Sequence, residues 1–324
     1  MNTQDKEKQL IRATLPYAKE NRTKSWGTTF STLAVIAIAF VGIFAPTALW
    51  VKILSSVLLG LTLVRFFIIY HDYAHNSILQ KSTFAKWLFT FFGLYILAPL
   101  SIWRRSHDHH HQHNSKLYTS SIGSYPIVTK EKFLSATKKE QRLYLFARHP
   151  LTIAFGYIFV FIGGMCIRSL MNNPKRHWDS AISLGLHLVM GIIMYLAGGW
   201  TGLILGLIVP SFIAFAIGAY LFYAQHNFPG VYFADKNGWT YINAAMKSSS
   251  FMKMNPLMHW FTGNIGYHHI HHLNAKIPFY RLPEVYREIP ELQKAKTTSL
   301  KARDIMACFR LKVWDVEQQK MVGL

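Results

Sequence analysis

Eleven of the 16 histidines fall in three short windows. "HDYAH" sets His71 and His75 four residues apart. "WRRSHDHHHQHN", residues 103 to 114, sets His107, His110 and His111 at i, i+3 and i+4, and "YHHIHH" repeats that spacing with His268, His271 and His272. On a helix each spacing puts its imidazoles on one face. Neutral imidazole ligates Zn, Cu, Fe and Ni. Eight such donors exceed the four that one zinc takes, and the count fits two metals. His109 and His113 form a competing pair on another face, and His269 sits about 100° round from His268. These three read as supernumerary. No Glu-x-x-His pair accompanies the windows, which excludes the soluble carboxylate di-iron arrangement.

Any one window could be a solvated polar loop. Three windows beside apolar segments are harder to explain that way, because clustered idle imidazoles repel one another once protonated.

The elements that must position them are apolar. The chain has 324 residues, 51% hydrophobic. Runs of nearly bilayer-spanning length occur at 28–49, 51–70, 151–170, 181–199 and 201–224, against the roughly 20 residues a crossing helix requires. Soluble core helices are rarely apolar all round, so the sequence predicts an all-α integral membrane protein. Residues 1–27 are polar and charged and do not read as a cleavable signal. Cys166 and Cys308 form no disulfide framework. The net charge of +20 comes largely from polar segments flanking the apolar runs, among them Lys130, Lys132, Lys138, Lys139, Arg142 and Arg148, as in cytoplasmic loops. No nucleic-acid motif accompanies the charge, and no nucleic-acid partner is expected.

Parity orders these runs. Lys6, Lys8, Arg12, Lys19, Arg22 and Lys24 put the N-terminus on the cytoplasmic side. A hairpin of 28–49 and 51–70 then returns "HDYAH" to that side. Residues 84–102, which contain Gly93 and Pro99, must be re-entrant or interfacial if the first two histidine windows are to meet. Lys175, Arg176 and His177 keep 171–180 cytoplasmic, so 151–170 dips in without crossing, and 181–199 with 201–224 forms the second hairpin. The expected organisation is a cytoplasmic segment 1–27, a membrane domain 28–290 with four spanning helices and a histidine-rich cap, and a cytoplasmic tail 291–324.

The ordered windows H-x-x-x-H, H-x-x-H-H and H-x-x-H-H resemble the three boxes of the membrane fatty acid desaturase and hydroxylase superfamily. "HWFTGNIGYHHIHHLNAKIPFYRLPE", residues 259 to 284, resembles the third box and flanks of bacterial and cyanobacterial acyl-lipid desaturases, and "RHPLTIAFG" and "LFYAQHNF" are similar to intervening segments. The likeness covers about residues 50 to 290. It implies a bacterial inner-membrane enzyme with two irons held by His71, His75, His107, His110, His111, His268, His271 and His272. "YAQHNF" nominates His226 as a ninth ligand. His259 is the rival for that place. Tyr73 and Ala74 stand where this family commonly has Cys-Gly.

The resemblance further implies O2 as co-substrate and an acyl-lipid substrate that gains a cis double bond by successive hydrogen abstractions from adjacent carbons. A related lipid or alkane hydroxylase or a carotenoid-modifying oxygenase is the alternative. The chain has no "HPGG" heme motif and no flavin or nicotinamide fingerprint, so a separate electron donor is required, ferredoxin in preference to cytochrome b5. A histidine-rich metal transporter would place polar or ionisable ligands within its spans, where the apolar runs hold almost none apart from His187. His187 reads instead as a polar contact between helices. Asp72, Asp108 and Asp235 are candidates to orient ligating imidazoles, Asp72 foremost because it lies inside a box.

Overall fold

The computed structural model describes residues 3–119 and 121–324. Three stretches have the length and apolar composition to cross a membrane: Arg22–Phe44, Leu49–Ala74 and Trp178–Ala224. Asn21 caps the first by accepting from the Lys24 amide, and the helix stops at Ala45–Ala48, where Pro46 breaks the pattern. The second begins at Leu49 and packs back along the first.

The third stretch doubles back on itself. Gly198 and Gly199 leave helical backbone, Gly199 at φ 59° and ψ −151°, where a side chain would be strained. A Cβ added to Gly191 would lie 3.5 Å from both Leu203 and Leu207. In an unbroken helix Leu207 would sit about 24 Å further along the axis. The reversal falls where the sequence pattern put the turn between its last two runs.

Boundaries elsewhere differ in a way that matters. The second helix does not stop at Tyr70 but runs on through Ala74, with His75 at its C-cap, so the first box rides on a spanning helix instead of following it. Residues 84–102 are not one segment. Thr83–Tyr95 and Leu100–His113 are separate helices bent by 87°, because Leu97 takes a positive φ of 55° and Pro99 starts the next turn. The second half is therefore continuous with the second box. Residues 151–170 form Pro150–Ala154, a π-helical stretch Tyr157–Ile167, and Arg168–Asn172.

Nor is the chain purely helical. Phe251–Lys253 pairs in parallel with Thr297–Ser299, and Val313–Asp315 pairs antiparallel with Lys320–Val322. The first ribbon, with an isolated bridge from Thr129 to Trp314, ties residues 291–324 to the body. Leu292, Cys308 and Trp314 are fully buried in the same apolar cluster as Ile69 and Phe89 of the spanning region. That cluster reaches from the spans to the histidine-bearing layer and holds the two in fixed relation.

Candidate metal centre

Four elements carry the histidines. The last turn of Leu49–Ala74 gives His71, with His75 at its cap. Leu100–His113 gives His107, His110 and His111, and the short helix His268–Leu273 gives His268, His271 and His272. His226 follows directly on Val209–Ala224. The helical spacings bring every one of these rings into the same cluster.

All nine meet, and they sort into two groups. His71, His75, His107, His111 and His271 form one; His110, His226, His268 and His272 form the other. Within each group one nitrogen per ring lies within 4.8 Å of every other, an arrangement that could hold a metal ion. The second and third boxes are each divided between them: His107 and His111 go with His271 to one group, and His110 goes with His268 and His272 to the other. Eight of the nine are buried, and His226 keeps partial exposure.

The inner nitrogens stand at hydrogen-bond distance from one another, yet they have too few protons to fill all of these contacts. In the group of four, Nε2 atoms run His110 to His226 3.1 Å, His226 to His268 2.8 Å, His268 to His272 3.1 Å, and His272 to His110 3.2 Å. A ring nitrogen is a donor or an acceptor, never both, and carries at most one proton, so no more than two of these four contacts can be linear hydrogen bonds. In the group of five, His71 lies 2.8 Å from His107, His107 3.2 Å from His111, and His111 3.0 Å from His271. His75 Nε2 is buried with no hydrogen-bond partner among the described residues. A central cation meets all of these lone pairs. With metal–nitrogen bonds of about 2.1 Å, adjacent octahedral ligands stand about 3.0 Å apart, which matches these separations.

Three of the outer nitrogens are held as well, whereas His111 Nδ1 and His268 Nδ1 have no hydrogen-bond partner among the described residues. His71 Nδ1 lies 3.3 Å from Asp72 Oδ1, and Asp72 Oδ2 accepts from the Phe279 amide at 2.7 Å. His226 Nδ1 donates to the Ser248 carbonyl at 2.9 Å, and His110 Nδ1 meets Ser124 Oγ at 2.6 Å. The Asp72 carboxylate and the Ser248 carbonyl can only accept, so they favour the tautomer whose Nε2 lone pair faces inward. Burial pushes His268, His271 and His272 well below the ordinary imidazole range, and neighbouring imidazoles add to it. His226 is held at about 4, again by burial, against the opposing pull of Ser248. Rings kept neutral are rings able to ligate.

The remaining histidines fall outside both groups. His109 and His113 stack on each other at 4.2 Å. His269 is fully buried and its Nε2 meets the Leu292 carbonyl at 3.0 Å. His259 packs against Tyr267, its ring centroid 5.3 Å away, so the rival for the ninth place is not in the cluster. His187 bonds the Tyr157 hydroxyl between two apolar helices, as expected.

Of the three acids, Asp72 alone reaches a clustered histidine. Asp235 accepts from the Asn237 and Gly238 amides and so closes its own turn. Asp108 sits in an exposed recess beside Arg104 and Arg105. Ser124 and Ser248 had no signal in the sequence, since one is a loop hydroxyl and the other acts through its carbonyl. Lys276 was likewise silent; its Nζ donates to the His75 carbonyl at 2.8 Å and holds the end of the first box.

A helical membrane scaffold with two buried histidine clusters defines a class of metalloenzyme, and comparison with known proteins narrows it. The fatty acid desaturase family model matches residues 47–301. The chain is 29% identical to a fatty acid desaturase of Bacillus subtilis, over 98% of its own length and 91% of that protein. It is 24% identical to an sn-1 oleoyl-lipid 12-desaturase of Anabaena variabilis, covering 84% of this chain and 78% of the relative. It is also 24% identical to an sn-1 acyl-lipid omega-3 desaturase (ferredoxin) of a Nostoc species, covering 67% and 61%. The chain belongs to the fatty acid desaturase family and is an oxidoreductase of lipid metabolism.

Proposed function

We propose that the nine clustered histidines hold two irons, five at one and four at the other, and that the enzyme sets a cis double bond into the acyl chain of a membrane lipid. The observation that carries this reading is the pair of histidine groups, each able to close on one ion. When bound, the irons supply the oxidising power to activate O2 and break unactivated C–H bonds, which no side chain possesses. The protein's part is placement and exclusion. Neutral imidazoles present lone pairs inward, Asp72 fixes the face of His71, and burial keeps bulk water from the reacting carbons. Trp103 stacks on His107 with centroids 4.9 Å apart, and Phe222 stands 4.9 Å from His110. We assign these two rings to the apolar wall along which the acyl chain passes.

For topology we propose four crossings in two hairpins, with Tyr157–Asn172 dipping in without crossing and the histidines on the cytoplasmic side of a bacterial inner membrane. The acyl-lipid substrate is supported by relatives named for oleoyl-lipid and acyl-lipid substrates. A ferredoxin donor is supported by the relative that carries that word, and the excess of basic residues suits an acidic partner.

The test is a fatty acid profile. Membranes of a bacterial host expressing the chain should contain a new alkene, its position found by chemical derivatisation and mass spectrometry. The same host with His268→Ala should lack it. A new hydroxy acid in place of the alkene would move the reaction to hydroxylation.

A further inference from the structure

A cavity of about 60 Å³ lies against the four-histidine group and not against the other. His110 and His226 line it, whereas His71, His75, His107, His111 and His271 do not. Its lining also includes the exposed Thr119, the half-buried Lys116, Ser124, Tyr125 and the fully buried Arg148. Such a volume holds about four waters at roughly 10–15 Å³ of occupied space each. His226, the one clustered histidine with residual exposure, borders it. Solvent therefore meets the four-histidine group here.

The charge of the lining is one-sided. Among the described residues no Asp or Glu borders the cavity, while Lys116 and Arg148 do. Arg148 bonds only neutral oxygens, those of Pro126 at 2.8 Å, Asn227 at 2.7 Å and Leu311 at 3.4 Å, together with the Tyr223 hydroxyl. Its Nε is buried with no hydrogen-bond partner among the described residues.

We propose that this cavity is the solvent passage of the four-histidine group, by which protons enter, product water leaves, and small inorganic anions reach the metal. The inference rests on the desaturase reading given above. One turnover takes two hydrogens from adjacent carbons and reduces one O2 with two electrons from a one-electron donor protein and two protons from solvent. The products are one alkene and two waters. Protons and water must cross the shell around eight buried histidines. A polar, water-sized channel that ends at the group with fewer protein ligands is the route the fold provides. The hydroxyls of Ser124 and Tyr125 supply hydrogen-bonding walls, and the cationic lining draws in small anions.

Azide binding to the iron-loaded, full-length protein tests this, read from its absorption band on ferric iron in stopped flow. Thr119→Trp plugs the mouth, and Lys116→Glu reverses its charge; neither residue is a ligand. Association should slow about tenfold in each at unchanged iron content, and the salt dependence seen in the parent should disappear in Lys116→Glu. Equal rates in the parent and both variants would overturn the passage, as would an iron-loaded parent that binds no azide. A parent with neither iron nor alkene would overturn the desaturase reading itself, a different result from an active parent whose variants behave alike.

Discussion

His271→Ala and His226→Ala abolish the new alkene, whereas His259→Ala and His113→Ala keep it. The contrast follows from position. His271 joins the five-histidine group and His226 the four-histidine group, while His259 packs on Tyr267 and His113 stacks on His109 outside both. Removing one donor from the cluster takes away a metal–ligand bond and the binding free energy that goes with it. Iron content should fall in the first two variants and hold in the second two. Metal analysis alongside the fatty acid profile checks this, and an active His226→Ala protein with full iron would remove that residue from the site.

Asp72→Asn should lower iron affinity or turnover by about 10- to 100-fold, the range for an outer partner of a ligating histidine. Asp72 serves two donors at once, the Phe279 amide and His71 Nδ1. Asparagine has a single acceptor oxygen. If that oxygen keeps the Phe279 amide, its NH2 faces His71 and favours the tautomer with a proton on Nε2, where the lone pair is needed. The variant should fold, since the bond to Phe279 survives, and its thermal unfolding should stay near that of the parent. An unchanged iron dissociation constant and rate would mean that Asp72 does not orient His71.

The histidine windows were legible because their chemistry lies in helical spacing, which sequence displays directly. His71 with His75 and His268 with His272 needed only the period of a helix. The division of the second box between two groups was not legible. It depends on which way Leu100–His113 faces after the 87° bend, and that bend is set by packing. The doubling back between 181–199 and 201–224 was legible from the lengths of the apolar runs and from parity, and Gly198 and Gly199 supply the break. The ribbon pairing of Phe251–Lys253 with Thr297–Ser299 could not, since three-residue strands carry no pattern. Ser124 and Ser248 escaped for a further reason: a loop hydroxyl and a backbone carbonyl look the same in sequence whether or not they meet a histidine. His226 was legible only through resemblance, because one histidine after an apolar helix has no partner at helical spacing.

The central claim is two irons in two histidine groups, and the most direct test is metal stoichiometry on purified full-length protein grown with iron. Elemental analysis should return two irons per chain, falling toward one in His226→Ala. A catalytically active preparation with one iron per chain or none, or an unchanged count in His226→Ala, would contradict the division into five and four.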